Sequence, residues 1–455
     1  MCILHRFDKR GLLSDPGRQE RRTGRRLLKQ LLPHLLMTVS MFVLTQANGE
    51  AMPMYSRRYD LKCSACHTIA PVLNEMGWMF KRLGYHLPPA LSEGQQAPTI
   101  SELVQKEPQW TLADNLSIAV ADFSLQATRS TQEGTSPSSS SGFQINTWNN
   151  YAGGWLPNTN FFYLAEFDII TNGSVSPTLT NAYFGYAGGN AKSSWYVAGG
   201  REHLQIGEGT RAAEVYSLMP ASPLLFETTS PTTFIFDQSP VGIDAGYTWA
   251  SDGYKNVFAA TAKVTNGDNA DGSEILGLSS KSSKDVWFDA DWWFAPESGV
   301  TFLDHYGAKD QTQNSGATNQ FTYRATIRRT GLFANYMIAN KVDVLGGYML
   351  NKDDWQSVAG VAGGFFRAND YFGEANYYIT PRLALSGRYD LLEQRITGGP
   401  GREAVHQWSA AINRTLTRSG AVIGRLGYSY LTGRDPLTGI QTTNRLFQAD
   451  VSFNF

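Results

Sequence analysis

Apolar and polar residues alternate with a period of two along much of this chain, in segments of about ten residues. In the segment 160–170, one face carries Glu166 and Asp168 and the other carries only apolar side chains. The apolar side chains are Phe161, Tyr163, Ala165, Phe167 and Ile169. Because successive side chains of a β-strand point to opposite faces, the pattern predicts a strand between two different environments. Carboxylates facing lipid would be very costly, so we predict a membrane barrel in which both acids face the lumen.

Other segments repeat this alternation with their charges on one face. The charged residues assigned to the lumen in this way are Asp289 and Asp291 in 286–294, Arg324 and Arg328 in 320–328, and Arg382, Arg388 and Asp390 in 381–390. A soluble β-sandwich would alternate as well. The last segment favours the barrel, because polar residues alternate there with Phe447 and Phe453 up to a terminal Phe455. A terminal phenylalanine on such a strand resembles the C-terminal signal of bacterial outer-membrane proteins.

The predicted fold is an all-β transmembrane barrel of about 16 antiparallel strands, spanning residues 109–455. The strands are expected near 109–127, 142–155, 159–170, 178–189, 192–204, 239–250, 255–266, 284–295, 298–308, 320–338, 341–351, 369–380, 381–392, 404–416, 421–431 and 443–455. Short turns are expected at one end, among them Ala339-Asn340 and Thr380-Pro381, and longer loops at the other. Residues 205–238 form the longest gap, which either folds into the lumen or remains an exposed loop.

Composition is consistent with a membrane barrel and argues against nucleic-acid binding. The chain holds 44 glycines, 21 tyrosines, 24 phenylalanines and 11 tryptophans at a formal net charge of −1. Its basic cluster is confined to the first 29 residues, ahead of an apolar run at 30–44 and small residues at Ala47 and Ala51. This order is typical of a signal peptide, which we assign to residues 1–51 and expect to be cleaved. No later stretch approaches the 18 apolar residues of a membrane-spanning helix.

The motif Cys63-Ser64-Ala65-Cys66-His67 carries the chemistry of this chain. Two cysteines three positions apart and followed directly by a histidine form the attachment pattern for one covalent haem c. Cys63 and Cys66 are the expected attachment residues, and His67 is the expected proximal iron ligand. A thioredoxin-like dithiol would need a βαβ context, and a zinc site would need a second ligand pair; neither is visible in the sequence.

Residues 52–108 are therefore predicted to form a small α-helical haem c domain with a linker. Gly84 is a plausible helix stop after a run of apolar residues at helical spacing: Val72, Leu73, Met76, Met79, Phe80 and Leu83. So small a domain would leave much of the haem exposed, and the barrel lumen or mouth is the natural place to cover it.

The second axial ligand of the iron is open at this stage. The possible ligands near the motif are Met52, Met54, Met76, Met79 and His86. Met76 and Met79 are better explained by apolar packing, because a short helix cannot present its own residue to the opposite haem face. His86 is the preferred distal ligand, ahead of His203 and His305 in the barrel, and a vacant sixth position is a further alternative.

The haem segment resembles the fused outer-membrane cytochrome–porin family of iron-oxidising bacteria. The resemblance rests on Tyr55 to Tyr59, the cysteine motif, Pro71, Leu73-Asn74, Gly77, Phe80 and Gly84-Tyr85, followed by a porin-like chain. It implies an outer-membrane electron conduit, with the haem domain on the periplasmic side or in the lumen. Extracellular Fe(II) would then supply electrons, a periplasmic cytochrome or other carrier would receive them, and outer-membrane lipid would surround the barrel.

Three alternatives are kept open. The first is a conduit for another extracellular donor or acceptor. The second is a solute porin with a redox-sensing haem domain, and the third is a soluble exported β protein that carries a haem. Lumen carboxylates such as Asp289 and Asp291 could attract Fe²⁺, but an ordinary polar lumen balanced by arginines explains them better. Electron transfer needs no nucleophile, and none stands out in the sequence. Whether the chain is an enzyme is left open; if it is one, the expected activity is that of an electron-transfer oxidoreductase that oxidises Fe(II).

Overall fold

The computed structural model describes most of the barrel and a short part of the haem segment. The described residues are 65–69, 72–82, 117–155, 159–171, 174–189, 192–201, 217–227, 240–251, 256–266, 284–295, 297–315, 319–356, 363–417 and 422–454. The predicted signal peptide (1–51), most of the segment 52–108, Cys63 and His86 lie outside the described residues.

Sixteen antiparallel strands form one closed barrel, which confirms the predicted fold class and strand number for this part of the chain. The strands are β3 (Ser117–Gln132), β4 (Ser138–Trp155), β5 (Phe161–Thr171), β6 (Ser174–Gly189), β7 (Ser193–Arg201), β8 (Val241–Ala250), β9 (Val257–Asn266), β10 (Lys284–Ala295), β11 (Ser298–Ser315), β12 (Asn319–Ile338), β13 (Val342–Trp355), β14 (Gly364–Thr380), β15 (Leu383–Ile396), β16 (Arg402–Thr415), β17 (Val422–Arg434) and β18 (Gln441–Asn454). Each strand pairs with its neighbours in sequence, and β18 pairs with β3 to close the sheet.

The two ends of the barrel differ in their connections. At the end that holds the start of β3 and the end of β18, the described turns are short, as predicted. Between β12 and β13, Ala339 and Asn340 have φ of 49° and 55°, the left-handed values that both central residues of a type I′ turn adopt. The longest connections, 202–240 and 267–283, lie at the opposite end. Short turns are periplasmic and longer loops extracellular in bacterial barrels.

The strand faces follow the predicted alternation in most places. On β10, Val286, Phe288 and Trp292 are exposed on the outside, whereas Asp289 and Asp291 are buried on the inner face. On β15, Leu385 and Tyr389 likewise point outward, and Arg388 and Asp390 point inward. The exterior is therefore apolar along these strands and the interior is polar, as a lipid-embedded barrel requires.

Strand β12 contradicts the prediction. Arg324 and Arg328 are exposed on the outer face, and the apolar Ile327 and Phe333 are buried on the inner face. Arg382, also assigned to the lumen, is exposed in the turn before β15. The alternation was correct, but the faces of β12 were exchanged, because this part of the lumen is lined with apolar side chains.

Ahead of the barrel, the described haem segment contains a two-stranded ribbon and one helix: β1 (His67–Ile69), β2 (Val72–Leu73) and α1 (Glu75–Arg82). The predicted helix is present but shorter, because Val72 and Leu73 belong to β2. Asn74 separates strand from helix, since its side-chain oxygen accepts a hydrogen bond from the Gly77 N–H at 2.9 Å, as an N-cap residue does.

Candidate functional site

The described part of the haem motif is held by the residue that caps α1. The backbone N–H of Asn74 donates to the Cys66 carbonyl at 3.0 Å, and its side-chain amide donates to the Ala65 carbonyl at 3.1 Å. His67 pairs with Leu73 across the ribbon. Cys66 and His67 are both half-buried. Asn74 therefore fixes the backbone on which the expected thiol and imidazole stand.

Gly77 allows α1 to lie directly against the motif. A Cβ atom at this position would overlap the Cys66 carbonyl and would lie 2.9 Å from the Leu73 side chain. Any larger residue must therefore push the helix away from the motif. The requirement for glycine here comes from this close approach of two backbones.

The same segment is packed into the barrel at its short-turn end. Trp78 is 1% exposed and forms an apolar cluster with Leu73 and with residues of β8, β9 and β10 near the short-turn end. The barrel members of this cluster are Ala250, Val257, Ala259 and Trp293. On another side, Val72 packs with Tyr378 and Ala384, which flank the β14–β15 turn. The segment is therefore anchored at the short-turn end of the lumen.

Two of the residues considered as distal iron ligands make other contacts in the structure. Met76 packs against the cluster of Trp78 and Trp293, in keeping with the apolar role expected for it. His305 is fully buried in the wall, where its ring stacks on Trp287 at 3.7 Å and its Nε2 lies 3.3 Å from Asp285. His86, His203, Met52 and Met54 lie outside the described residues, so the distal ligand stays a prediction.

The donor chemistry of the motif fits a covalent haem. Cys66 and His67 provide a thiol and an imidazole on consecutive residues, which is what thioether attachment and proximal ligation require. Neither side chain is buried in the apolar clusters that anchor the segment. The sequence places the second thiol, Cys63, three positions earlier.

Part of the longest connection folds into the lumen. The sequence alone left open whether this connection enters the lumen or remains an exposed loop. We call residues 217–227 the lumen segment; it includes the short helix α2 (Leu224–Glu227). Four of its backbone carbonyls accept hydrogen bonds from the inner faces of β15, β16 and β17. Asn413 donates to Leu218 at 2.8 Å, Arg425 to Met219 at 2.5 Å, Gln407 to Ser222 at 3.0 Å, and Arg388 to Ala221.

Apolar contacts also hold the lumen segment in place. Leu225 joins the cluster of Phe333 and Phe372, and Leu224 packs with Phe366 and Leu392. A Cβ on Gly427 would lie 2.7 Å from the Pro220 ring, so the segment lies directly on the wall there. Polar and apolar contacts therefore hold the lumen segment against the inner wall, where it occupies part of the lumen.

Charges on the inner wall are paired with one another. Arg388 lies 2.9 Å from Asp390 and 3.6 Å from Glu374, and Arg425 lies 3.5 Å from Asp450. Arg329 and Asp353 form a further buried ion pair. Buried charges are tolerated when they are paired in this way, which agrees with a balanced polar lumen.

The carboxylates considered for Fe²⁺ attraction take part in ordinary hydrogen bonds. Glu166 accepts from Asn149 at 3.4 Å, Asp168 from Thr180 at 3.3 Å, and Asp291 from Thr301 at 2.5 Å. Among the described residues, no group of three or more His, Cys, Asp or Glu side chains is arranged to hold a metal ion.

Sequence reasoning missed the residues that seat the lumen segment and the roles of Asn74 and Gly77. Asn74 and Gly77 do stand close to the motif, and an asparagine directly before a helical pattern is a recognisable cap. No local sequence pattern marks the residues that bind the lumen segment, because their partners lie far away in the sequence. These residues include Gln407, Asn413 and Arg425.

Within the part of the chain that the structure describes, no helix has the length and apolar character needed to span a membrane. No protein-family model matches this sequence, and no curated protein matches it. Among solved structures, the chain is similar to OmpT, an outer-membrane protein of Vibrio cholerae, with 10% identity and a TM-score of 0.49 over 75% of this chain and 100% of that one. An anion-selective porin from Comamonas acidovorans gives 11% identity and a TM-score of 0.49 over 75% and 100%. The outer-membrane channel DcaP of Acinetobacter baumannii gives 11% and 0.43 over 74% and 98%.

Proposed function

We propose that this chain is an outer-membrane cytochrome–porin that conducts electrons from extracellular Fe(II) to a periplasmic cytochrome or another carrier. The observation that carries the proposal is that the segment following Cys66 and His67 is anchored at one end of a barrel whose lumen is narrowed by its own chain. Electrons tunnel through packed protein, whereas a hydrated solute needs an open path. The arrangement suits a conductor of electrons better than a pore.

Each residue of the motif has a distinct task in this proposal. Cys63 and Cys66 form thioether bonds with the haem, and His67 ligates its iron. The haem supplies a one-electron redox centre, which is chemistry that no side chain of the motif offers. Asn74 and Gly77 hold Cys66 and His67 in place, and Trp78 ties this assembly to the barrel wall.

The anchoring points suggest the direction in which electrons leave. The motif segment contacts residues beside the short turns, which are periplasmic in bacterial barrels. A periplasmic carrier can therefore approach the motif from its own side of the membrane. Fe²⁺ gives up one electron on the loop side and becomes Fe³⁺, and the carrier receives one electron.

A solute porin with a redox-sensing haem is the competing function. That function needs a continuous water path, yet Leu224 and Leu225 of the lumen segment pack against the wall from β10 to β15. Moving this segment away from the wall to widen the path would break four hydrogen bonds and two apolar contacts.

The decisive experiment measures haem reduction in the membrane. The full chain is produced in an outer membrane together with haem-maturation enzymes, and oxidised membranes are then mixed with Fe(II). We expect the haem absorption bands to shift to the reduced form in the native protein. The variant Cys63→Ala/Cys66→Ala should give no signal, and Cys2→Ala should behave as the native protein.

Three contrary results would redirect the assignment. Covalent haem that ignores Fe(II) but accepts electrons from another donor would keep the conduit and replace its substrate. Steady ion conductance of the native barrel in a planar bilayer would favour the solute porin. Absence of covalent haem from the native chain would remove the electron-transfer function altogether.

A further inference from the structure

Five cationic side chains stand side by side on the outer wall of the barrel. Their positions pair directly across β12 to β16: Arg328 with Lys352, Lys352 with Arg367, Arg367 with Arg395, and Arg395 with Arg402. We call this set the basic row. Neighbouring strands are about 4.8 Å apart, so the row extends for roughly 19 Å along the wall.

The basic row lies above the lipid-facing surface, toward the long-loop end. Lys352 is four positions from Tyr348 on β13, and Arg367 is four positions from Tyr371 on β14. Tyr348 and Tyr371 are paired with each other, and their exposed rings stack with centroids 5.0 Å apart. Exposed tyrosines of this kind mark the membrane interface. Four residues of strand put the basic row about 13 Å beyond them.

Carboxylates balance only part of this charge. Arg328 pairs with Asp304 at 3.3 Å, Arg367 with Asp354 at 2.5 Å, and Arg402 with Glu393. Neither Lys352 nor Arg395 forms an ion pair with any described residue, and Arg395 rests over the Phe365 ring at 5.5 Å. Like charges directly opposite each other destabilise a sheet. An external anion would remove this cost.

We propose that the basic row binds the phosphorylated sugar headgroup of a glycolipid in the outer leaflet. The guanidinium group of arginine can donate two parallel hydrogen bonds to the oxygens of one phosphate. The ammonium group of lysine adds a compact positive charge. The row faces sideways from the wall, at the depth of the headgroups and directly above exposed tyrosines. A neighbouring lipid reaches that surface, whereas a soluble acidic protein would approach the loops. The proposal depends on membrane orientation and is independent of the haem.

The test compares two double variants of the full-length barrel. Lys352→Gln/Arg395→Gln removes the two charges without a carboxylate partner and leaves the ion pairs intact. Lys341→Gln/Arg382→Gln removes two exposed charges at the short-turn end and is the matched control. Binding is measured with phosphatidylcholine vesicles that contain diphosphorylated lipid A, and again with vesicles that contain the dephosphorylated lipid.

We expect the native barrel and the control to bind the phosphorylated vesicles equally well. The basic-row variant should bind about 30-fold more weakly, at roughly fivefold for each charge lost near an anionic surface. Lys352→Arg/Arg395→Lys, which keeps both charges, should bind like the native barrel and also shows that the row tolerates substitution. If the double variant does not fold, each single substitution should weaken binding about fivefold.

Equal binding by the basic-row variant and the native barrel would overturn the proposal, as would equal loss in the control. Tight binding to the dephosphorylated lipid would also overturn it, because phosphate is the proposed ligand. Binding of an acidic soluble protein that the variant abolishes, without any binding of lipid A vesicles, would replace the lipid by a protein partner.

Discussion

Asn74 uses both its backbone and its side chain to join three pieces of the haem segment. It donates to the Ala65 and Cys66 carbonyls, accepts from the Gly77 N–H, and its own carbonyl accepts from Trp78 at 3.0 Å. Few residues other than asparagine could make this set of bonds, because they require a short side chain with both a donor and an acceptor. Asn74 is therefore the residue on which the geometry of Cys66 and His67 depends most directly.

Gly77→Ala should loosen this arrangement. The added methyl group would overlap the Cys66 carbonyl, and overpacking of this kind costs about 1–3 kcal/mol of local stability. We expect faster hydrogen exchange at the Asn74 and Trp78 amides, measured by mass spectrometry on the intact protein. Gly373→Ala is the matched control, since nothing lies within 4 Å of its added Cβ. Unchanged exchange in Gly77→Ala would contradict the close contact.

Asp435 should make the β17–β18 loop sensitive to acid. Its carboxylate accepts hydrogen bonds from the Thr438 N–H at 2.7 Å, the Thr438 hydroxyl at 2.8 Å and the Leu437 N–H at 3.0 Å. The Thr438 N–H bond is the main cause that lowers the pKa of Asp435 below its ordinary value. A lowered folded-state pKa means that the loop gains stability above pH of about 4 and loses it as pH falls through the folded pKa.

Hydrogen exchange at the Thr438 amide between pH 6 and pH 2 would check this, after correction for intrinsic rates. Protection should fall toward the acid end in the native protein. In Asp435→Asn, protection should already be low at pH 6 and nearly independent of pH. Glu133→Gln, in the neighbouring loop, provides a charge-matched control. A native loop that stays protected at pH 2 would argue against the role of the carboxylate.

At the residue scale, the sequence was sufficient to predict those features that depend only on the spacing of neighbouring residues. The cysteine motif and the inward positions of Asp289, Asp291, Arg388 and Asp390 could all be predicted. The outward position of Arg328 could not, because burial of Ile327 depends on Leu225, about a hundred residues away. Alternation gives two faces, and only the tertiary contacts decide which face is inside.

At the scale of elements, the lumen segment links the longest connection to strands formed much later in the chain. Asn413 and Arg425 lie 195 and 206 residues beyond the carbonyls that they bind. No sequence pattern reports contacts of that separation, which explains why an exposed loop and a lumen plug could not be distinguished. By contrast, strand boundaries depend on local alternation, and 284–295 was predicted with the bounds found for β10.

Replacing residues 217–227 with a glycine–serine linker of the same length should open the barrel. The linker cannot supply Leu224 and Leu225 to the wall clusters and has no fixed carbonyls for Asn413 and Arg425. Single-channel recordings in planar bilayers should show steady conductance in this variant and none in the native protein. The same replacement in the exposed β3–β4 loop, residues 133–137, should leave the native behaviour unchanged. A closed variant would show that another part of the chain blocks the lumen.

For the whole molecule, the barrel wall separates an apolar exterior from an interior that holds polar side chains and the lumen segment. Phe302→Arg places a charge on the outer face of β11, where Phe302 is 41% exposed and is paired with Ala290 and Leu332 on the neighbouring strands. We expect a loss of about 2–4 kcal/mol in unfolding free energy, measured by denaturant titration in lipid vesicles. Phe143→Arg, on a side chain 87% exposed near the long-loop end, should cost at most about 1 kcal/mol. Equal costs at both sites would contradict the proposed membrane position.

The position of the lumen segment also affects how readily small toxic solutes would cross an outer membrane that contains this barrel. Open general pores admit small antibiotics, so a cell that adds many of them becomes easier to poison. This barrel holds a segment of its own chain inside the lumen, through contacts that reach from β10 to β17. A cell could therefore carry it at high abundance and keep its tolerance of toxic solutes, whereas copies with the glycine–serine linker should make the same cell sensitive.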